Sequence, residues 1–215
     1  MSSLDFPTRR VHEVWHTGTL NPADKRPGSY EGAGLSVSRH PDAWERIARG
    51  RIQGVRHRLT CPDGLFLNAK RMKRAHRALI QAWALEKRYV REGRLYEIAW
   101  YDDELESRMT AEFTSAAEAR RESRDGQVRE KAGLLATPRL KRRTLNDWTP
   151  VAISRDVAPL YAEDVLDLDG TWWADRLDVL AYSAPCGVIA PNRLARWTIH
   201  PPATAGDHER PRHAA

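Results

Sequence analysis

Apolar residues in the first half of the chain follow two spacings, one typical of strands and one typical of a helix. Residues 11–16 (VHEVWH) and 32–38 (GAGLSVS) predict two short strands. Proline suits a first helical turn and glycine a helix end, so Pro41 to Gly50 predicts a short helix. From Ala69 to Arg91, apolar side chains recur every three or four residues and predict the longest helix. They are Met72, Ala75, Leu79, Ile80 and Trp83.

The second half of the chain predicts further strands and a polar segment. Alternating side chains over 95–101 and a return strand over 109–113 predict a β-hairpin with an acidic turn. Residues 115–133 are charged and lack an apolar stripe, which predicts a polar helix or a helix that frays into a linker. Residues 139–143 predict a basic loop beside a proline, and residues 169–200 contain at least two strands.

This order of elements mixes antiparallel pairs with separate helices. It predicts an α+β fold with a mixed, mainly antiparallel sheet and flanking helices. We expect a single domain over residues 1–200. The polar, proline-rich residues 201–215 are expected to form a disordered tail.

Composition places the protein among water-soluble chains. Hydrophobic residues make up 41% of the 215 residues and charged residues 30%, which is enough for a core beneath a charged surface. No apolar run is long enough to span a membrane, and the first residues lack the apolar centre of a signal peptide. We therefore expect a cytoplasmic protein with no membrane contact. Two cysteines, Cys61 and Cys186, are expected to be free thiols, and the scattered histidines predict no metal site.

A net charge of +6 favours contact with polyanions. Basic side chains cluster on the polar face of the long helix and again within residues 139–143. They are Lys70, Lys73, Arg74 and Arg77 in the first cluster, and Lys141 and Arg142 in the second. Both clusters could bind nucleic-acid phosphates, or they could be solvated surface.

Two motifs near the start of the chain carry hydrogen-bonding and glycine residues in an order that suits ligand binding. His16-Thr17-Gly18 closes the first strand, and Gly32-Ala33-Gly34-Leu35-Ser36-Val37-Ser38 forms the second, just before the predicted short helix. This order resembles the front half of the ADP-ribosyltransferase fold. The resemblance implies a fold of that kind, with NAD as the cofactor and a protein or nucleic acid as the acceptor.

The resemblance also implies roles for individual residues. His16 would bind the ribose next to the nicotinamide, and Thr17 and Gly18 would hold the carboxamide. Tyr30 is the nearest aromatic residue for stacking on the nicotinamide ring. The remaining NAD contacts expected from the motif and from a late aromatic segment are Gly34, Ser36, Ser38 and Trp172.

The family's catalytic glutamate has no counterpart in the last strand region of this chain. A carboxylate is needed there because positive charge develops when the bond to nicotinamide breaks. Asp175 and Asp178 are the best-placed acids, and they join His16 as the predicted catalytic residues. Three hairpin acids are alternatives: Glu104, Glu106 and Glu112.

Three functional hypotheses therefore stand at this point. The first is an NAD-dependent ADP-ribosyltransferase-like enzyme. The second is a non-enzymatic protein that binds nucleic acid or another partner through its basic clusters. The third keeps the fold without the chemistry, because the glutamate is missing. The sequence does not specify the oligomeric state.

Overall fold

The computed structural model describes residues 5–20, 34–40, 55–103, 106–123, 127–144, 150–173 and 186–201. Within these ranges the strands are β1 (Thr8–Arg10), β2 (Glu13–Thr17), β3 (Leu35–Val37), β4 (Arg56–Thr60), β5 (Leu65–Asn68), β6 (Val90–Asp102), β7 (Ser107–Phe113), β8 (Arg129–Ala136), β9 (Gly170–Trp172), β10 (Gly187–Ile189) and β11 (Thr198–Ile199). The α-helices are α1 (Arg74–Glu86), α2 (Ala116–Glu122), α3 (Pro138–Thr144) and α4 (Ala158–Asp164). A π-helical turn (Ile153–Val157) leads into α4, and 3₁₀ turns span Ala69–Arg71 and Leu194–Arg196.

The strands form three sheets that are almost entirely antiparallel. Sheet A has the order β1-β5-β9-β10-β3, sheet B the order β11-β4-β2, and sheet C the order β7-β6-β8. Only the β5–β9 pair is parallel among the strand pairs described. Together with the four helices, this confirms the predicted α+β class.

Sheet A separates two apolar clusters, because consecutive strand residues point to opposite faces. Leu67 packs into the cluster that also holds Ile80 of α1 and Leu160 of α4. Its neighbour Phe66 packs into the cluster that sheet A shares with Leu59 of sheet B. Sheet A is thus covered by helices on one face and by sheet B on the other.

The long helix begins later and ends earlier than its apolar spacing predicts, because residues 69–71 form a separate 3₁₀ turn and α1 starts at Arg74. It stops at Glu86, and Arg88 takes a left-handed conformation with φ of 55°. The chain then reverses, so that Val90 begins β6 opposite Ala136 of β8. Leu79, predicted on the buried face, is 46% exposed. His76 is buried instead: Nδ1 accepts from the Lys73 amide, and the other ring nitrogen, Nε2, donates to the carbonyl of Asp5.

Two polar segments also differ from their predictions. The helix predicted over 115–133 is limited to α2, and residues 129–136 form β8. The backbone ladder to β6 determines that strand, so a polar side-chain pattern gave no signal for it. The predicted basic loop at 139–143 is the helix α3, which starts at Pro138. The Thr137 hydroxyl accepts from the Leu140 amide at 3.4 Å and caps it.

The hairpin is confirmed as β6 and β7, and the late strands as β9, β10 and β11. The short helix predicted from Pro41 to Gly50 lies outside the described residues, as does the predicted tail after residue 201. Among the helices that are described, none has the length and apolarity that a membrane crossing requires.

Candidate functional site

The two motifs of the sequence meet where sheets A and B join. Trp15 of β2 and Ser38, just after β3, form an antiparallel bridge in which each amide donates to the other's carbonyl at 2.8 Å. This bridge places His16 beside Ser36, although twenty residues separate them in the chain. The predicted neighbourhood of the two motifs is therefore present.

His16 is fixed between two backbone carbonyls. The residue is 1% exposed. Its Nδ1 lies 2.7 Å from the Ser36 carbonyl oxygen, and its Nε2 lies 2.9 Å from the Thr19 carbonyl oxygen. A neutral imidazole carries a proton on one nitrogen only. We assign the proton to Nδ1 because its contact is the shorter one. In that tautomer Nε2 carries the lone pair, and a hydroxyl could donate to it if the Thr19 carbonyl moved aside.

Gly18 keeps the space beside that nitrogen free of side-chain atoms. Its φ is 126°, and a Cβ there would lie 3.4 Å from Nε2 of His16. The Gly18 amide donates to the carbonyl of Val55 at 3.0 Å, which ties the end of β2 to the start of β4. Gly18 is half-buried and Thr19 exposed, so this edge of the site reaches the surface.

Three buried hydroxyls near the motifs have no hydrogen-bond partner within the described chain: Thr17, Ser36 and Thr171. Such groups are costly unless a ligand or water satisfies them. Thr17 and His16 are consecutive strand residues, so their side chains leave β2 on opposite sides. Ser36 and Thr171 both lie opposite Val188 and share one face of sheet A. Thr171 was not anticipated, because its register becomes visible only once β9 and β10 are paired.

Ser38 is already engaged within the protein. Its hydroxyl accepts from the His40 amide at 3.0 Å and lies 3.5 Å from Sγ of Cys186. Cys186 is a buried free thiol in the cluster between sheets A and B, as expected of a small core residue. Cys61 is also free, and burial raises the pKa of its thiol. The described residues contain no group of three or more side chains placed to hold a metal ion.

Two predicted NAD contacts have structural explanations instead. A Cβ at Gly34 would lie 2.2 Å from the carbonyl oxygen of Ile189, so the missing side chain makes room for β10 rather than for a ligand. Trp172 is 1% exposed and packs edge-on against Phe66 at 5.7 Å between ring centroids. That packing accounts for Trp172 as a core residue.

The predicted acids are not among the residues placed beside His16. Asp175, Asp178 and Tyr30 lie outside the described residues, and so does Glu104. Glu112 belongs to sheet C, where it forms an ion pair with Lys131 at 2.7 Å. Glu106 precedes β7 of the same sheet and is exposed.

The first basic cluster is a free cationic surface. We define the α1 patch as Lys70, Lys73, Arg74 and Arg77. All four side chains are exposed, and none has a carboxylate within 4.0 Å in the part of the chain that the structure describes.

The side chains of the second basic cluster differ in exposure. Arg142 is exposed, and Lys141 is half-buried. Arg143 joins α3 to α4 through Glu163 at 2.8 Å and Asp164 at 2.7 Å. Burial alone would lower the pKa of Arg143, but the hydrogen bond and charge of Asp164 raise it.

Comparisons of the chain with models of protein families, with curated proteins and with solved structures found no match.

Proposed function

We propose that the protein is an ADP-ribosyltransferase-like enzyme that binds NAD at the end of β2 and transfers ADP-ribose to a macromolecular acceptor. The observation that carries this proposal is the setting of His16, whose Nε2 lies 2.9 Å from the Thr19 carbonyl oxygen beside a glycine. The resemblance of the two motifs to that family, and their contact through the Trp15–Ser38 bridge, support it.

In this proposal a ribose hydroxyl replaces the Thr19 carbonyl and donates to Nε2 of His16. The Ser36 carbonyl holds Nδ1–H and so keeps Nε2 an acceptor. Thr19 is exposed and follows Gly18, so the proposal has its carbonyl move aside when NAD binds. The unpartnered Thr17 hydroxyl leaves β2 on the opposite side from His16, so it does not face the same ligand.

The chemical step in this proposal breaks the bond between nicotinamide and the anomeric carbon, and an acceptor nucleophile takes the place of nicotinamide. A carboxylate near the anomeric carbon would stabilise the positive charge of the transition state. Asp175 and Asp178 remain the predicted sources of that carboxylate.

Thermal unfolding in the presence of NAD tests the binding step. A ligand that binds only the folded state raises its stability by about 2.7 kcal/mol at one hundred times Kd. We expect millimolar NAD to raise the melting midpoint of the wild type. Gly18→Val, which fills the space beside Nε2, should remove the increase. Thr8→Val on the edge strand β1 is the suitable control and should keep the increase.

A melting midpoint that stays constant in NAD, for a wild type with a cooperative transition, would remove the proposal. An equal increase in Gly18→Val would place the NAD elsewhere on the protein.

Nucleic-acid binding is the second candidate function, and the unpaired cations of the α1 patch favour it. Bound lysines and arginines displace condensed counterions, so affinity should fall steeply with salt. Replacing all four patch residues with glutamine should flatten that dependence and leave the NAD-induced increase in melting midpoint unchanged. An unaltered salt dependence would exclude the patch as the contact surface.

A further inference from the structure

A groove of about 260 Å³ lies on the outer side of β2, away from His16. Arg10, Val11, His12, Glu13, Trp15 and Arg39 line it. The Trp15–Ser38 bridge forms this groove, because it brings Arg39 from the end of β3 to the residues that join β1 and β2. Trp15 and His16 are consecutive strand residues and point to opposite sides. The groove is therefore distinct from the proposed NAD site.

The groove carries two uncompensated positive charges. Arg10 and Arg39 are exposed, and neither has a carboxylate within 4.0 Å among the described residues. Glu13 is the acidic lining residue, but Arg58 of β4 neutralises it, with Nε donating to the carboxylate at 2.9 Å. Two free guanidinium groups at one groove suit a phosphate.

Trp15 adds an aromatic surface between these charges. Its side chain is half-buried, and its backbone is held by both hydrogen bonds of the Ser38 bridge. Among the described residues, no aromatic ring or cation stacks on the indole. An indole carried on a backbone that is held in this way can stack on a nucleobase.

We propose that this groove binds single-stranded nucleic acid, with a phosphate between Arg10 and Arg39 and a base on Trp15. A duplex would not supply the base, because its bases are already stacked on each other. A phosphate alone would leave the indole unused. The proposal does not depend on NAD binding, since His16 does not line the groove.

Fluorescence anisotropy of a short fluorescein-labelled oligothymidylate tests the groove. We expect Arg10→Gln with Arg39→Gln to weaken binding at least about tenfold. The slope of log affinity against log salt should fall by about 0.7, the contribution of one phosphate contact to a single strand. Trp15→Leu should also weaken binding about tenfold and leave the slope unchanged, because stacking releases no counterions.

The matched control is Arg91→Gln with Arg108→Gln, which removes the same charge from exposed positions on sheet C. It should bind like the wild type. All variants are compared after circular dichroism has shown a wild-type fold.

Three results would overturn the proposal: a groove variant that binds like the control, a Trp15→Leu variant with full affinity, or a duplex of equal length bound as tightly as the single strand. A further titration with thymidine monophosphate tests whether the groove binds a strand or a free nucleotide. Weaker binding of the monophosphate than of the oligomer supports a strand, and equal binding contradicts it.

Discussion

Gly18 and Gly34 have different structural roles, although both occur in short motifs predicted to bind a ligand. Gly18 lies at the end of β2, and a Cβ there would make only an ordinary contact with His16. Gly34 has φ of 151° and faces the carbonyl of Ile189, where a Cβ would approach to 2.2 Å. A ligand-binding role therefore suits Gly18, and a packing role suits Gly34.

Replacing each glycine with alanine should separate these roles. Gly34→Ala must move β10 as well as strain its own backbone, so we expect a loss of about 3 kcal/mol or more in the free energy of unfolding. Gly18→Ala incurs backbone strain alone, about 1–2 kcal/mol. Urea unfolding measures both values. Equal losses in the two variants would contradict this assignment.

At the scale of elements, a charge cluster links the three strands of sheet C. Lys131 of β8 contacts Glu97 of β6 and Glu112 of β7. The hydrogen bond from Lys131 lowers the pKa of Glu97 below its usual value of 4.5. The hydrogen bonds that Lys131 donates to Glu112 and to Glu97 raise the pKa of Lys131. A carboxyl with a lowered pKa stabilises the fold above its usual pKa, and this contribution is lost as pH falls through the lowered value.

Lys131→Met should therefore destabilise the protein at neutral pH and have less effect in acid. Because the cluster is partly exposed, we expect a loss of about 1 kcal/mol or less at pH 7. The difference from wild type should narrow below pH 4.5, as pH falls through the lowered pKa of Glu97 and that carboxyl loses its charge. Urea unfolding at both pH values measures it, with the exposed Lys87→Met as control. A difference that stays constant over this range would mean that lost packing, not charge, causes it.

At the scale of the whole molecule, local sequence patterns predicted individual strands and helices. The features that they did not predict arise from pairing between distant segments. The hairpin and the existence of α1 followed from periodicity, since their apolar positions repeat locally. The strand β8 did not, because its ladder to β6 determines it. For the same reason, local periodicity did not predict that His16 and Ser36 are neighbours. Only the family resemblance placed them at one site. Arg10 and Arg39 carried no signal at all, because the groove exists only once Trp15 pairs with Ser38.

The release of nicotinamide from labelled NAD tests the central claim most directly. The label is placed in the nicotinamide ring, and purified protein is supplied with mixed protein and nucleic-acid acceptors. We predict release by the wild type, and a rate at least about a hundredfold lower for the better-placed of Asp175→Asn and Asp178→Asn. His16→Gln should lose release while its melting curve remains cooperative. A folded wild type that releases no more nicotinamide than His16→Gln would contradict the account.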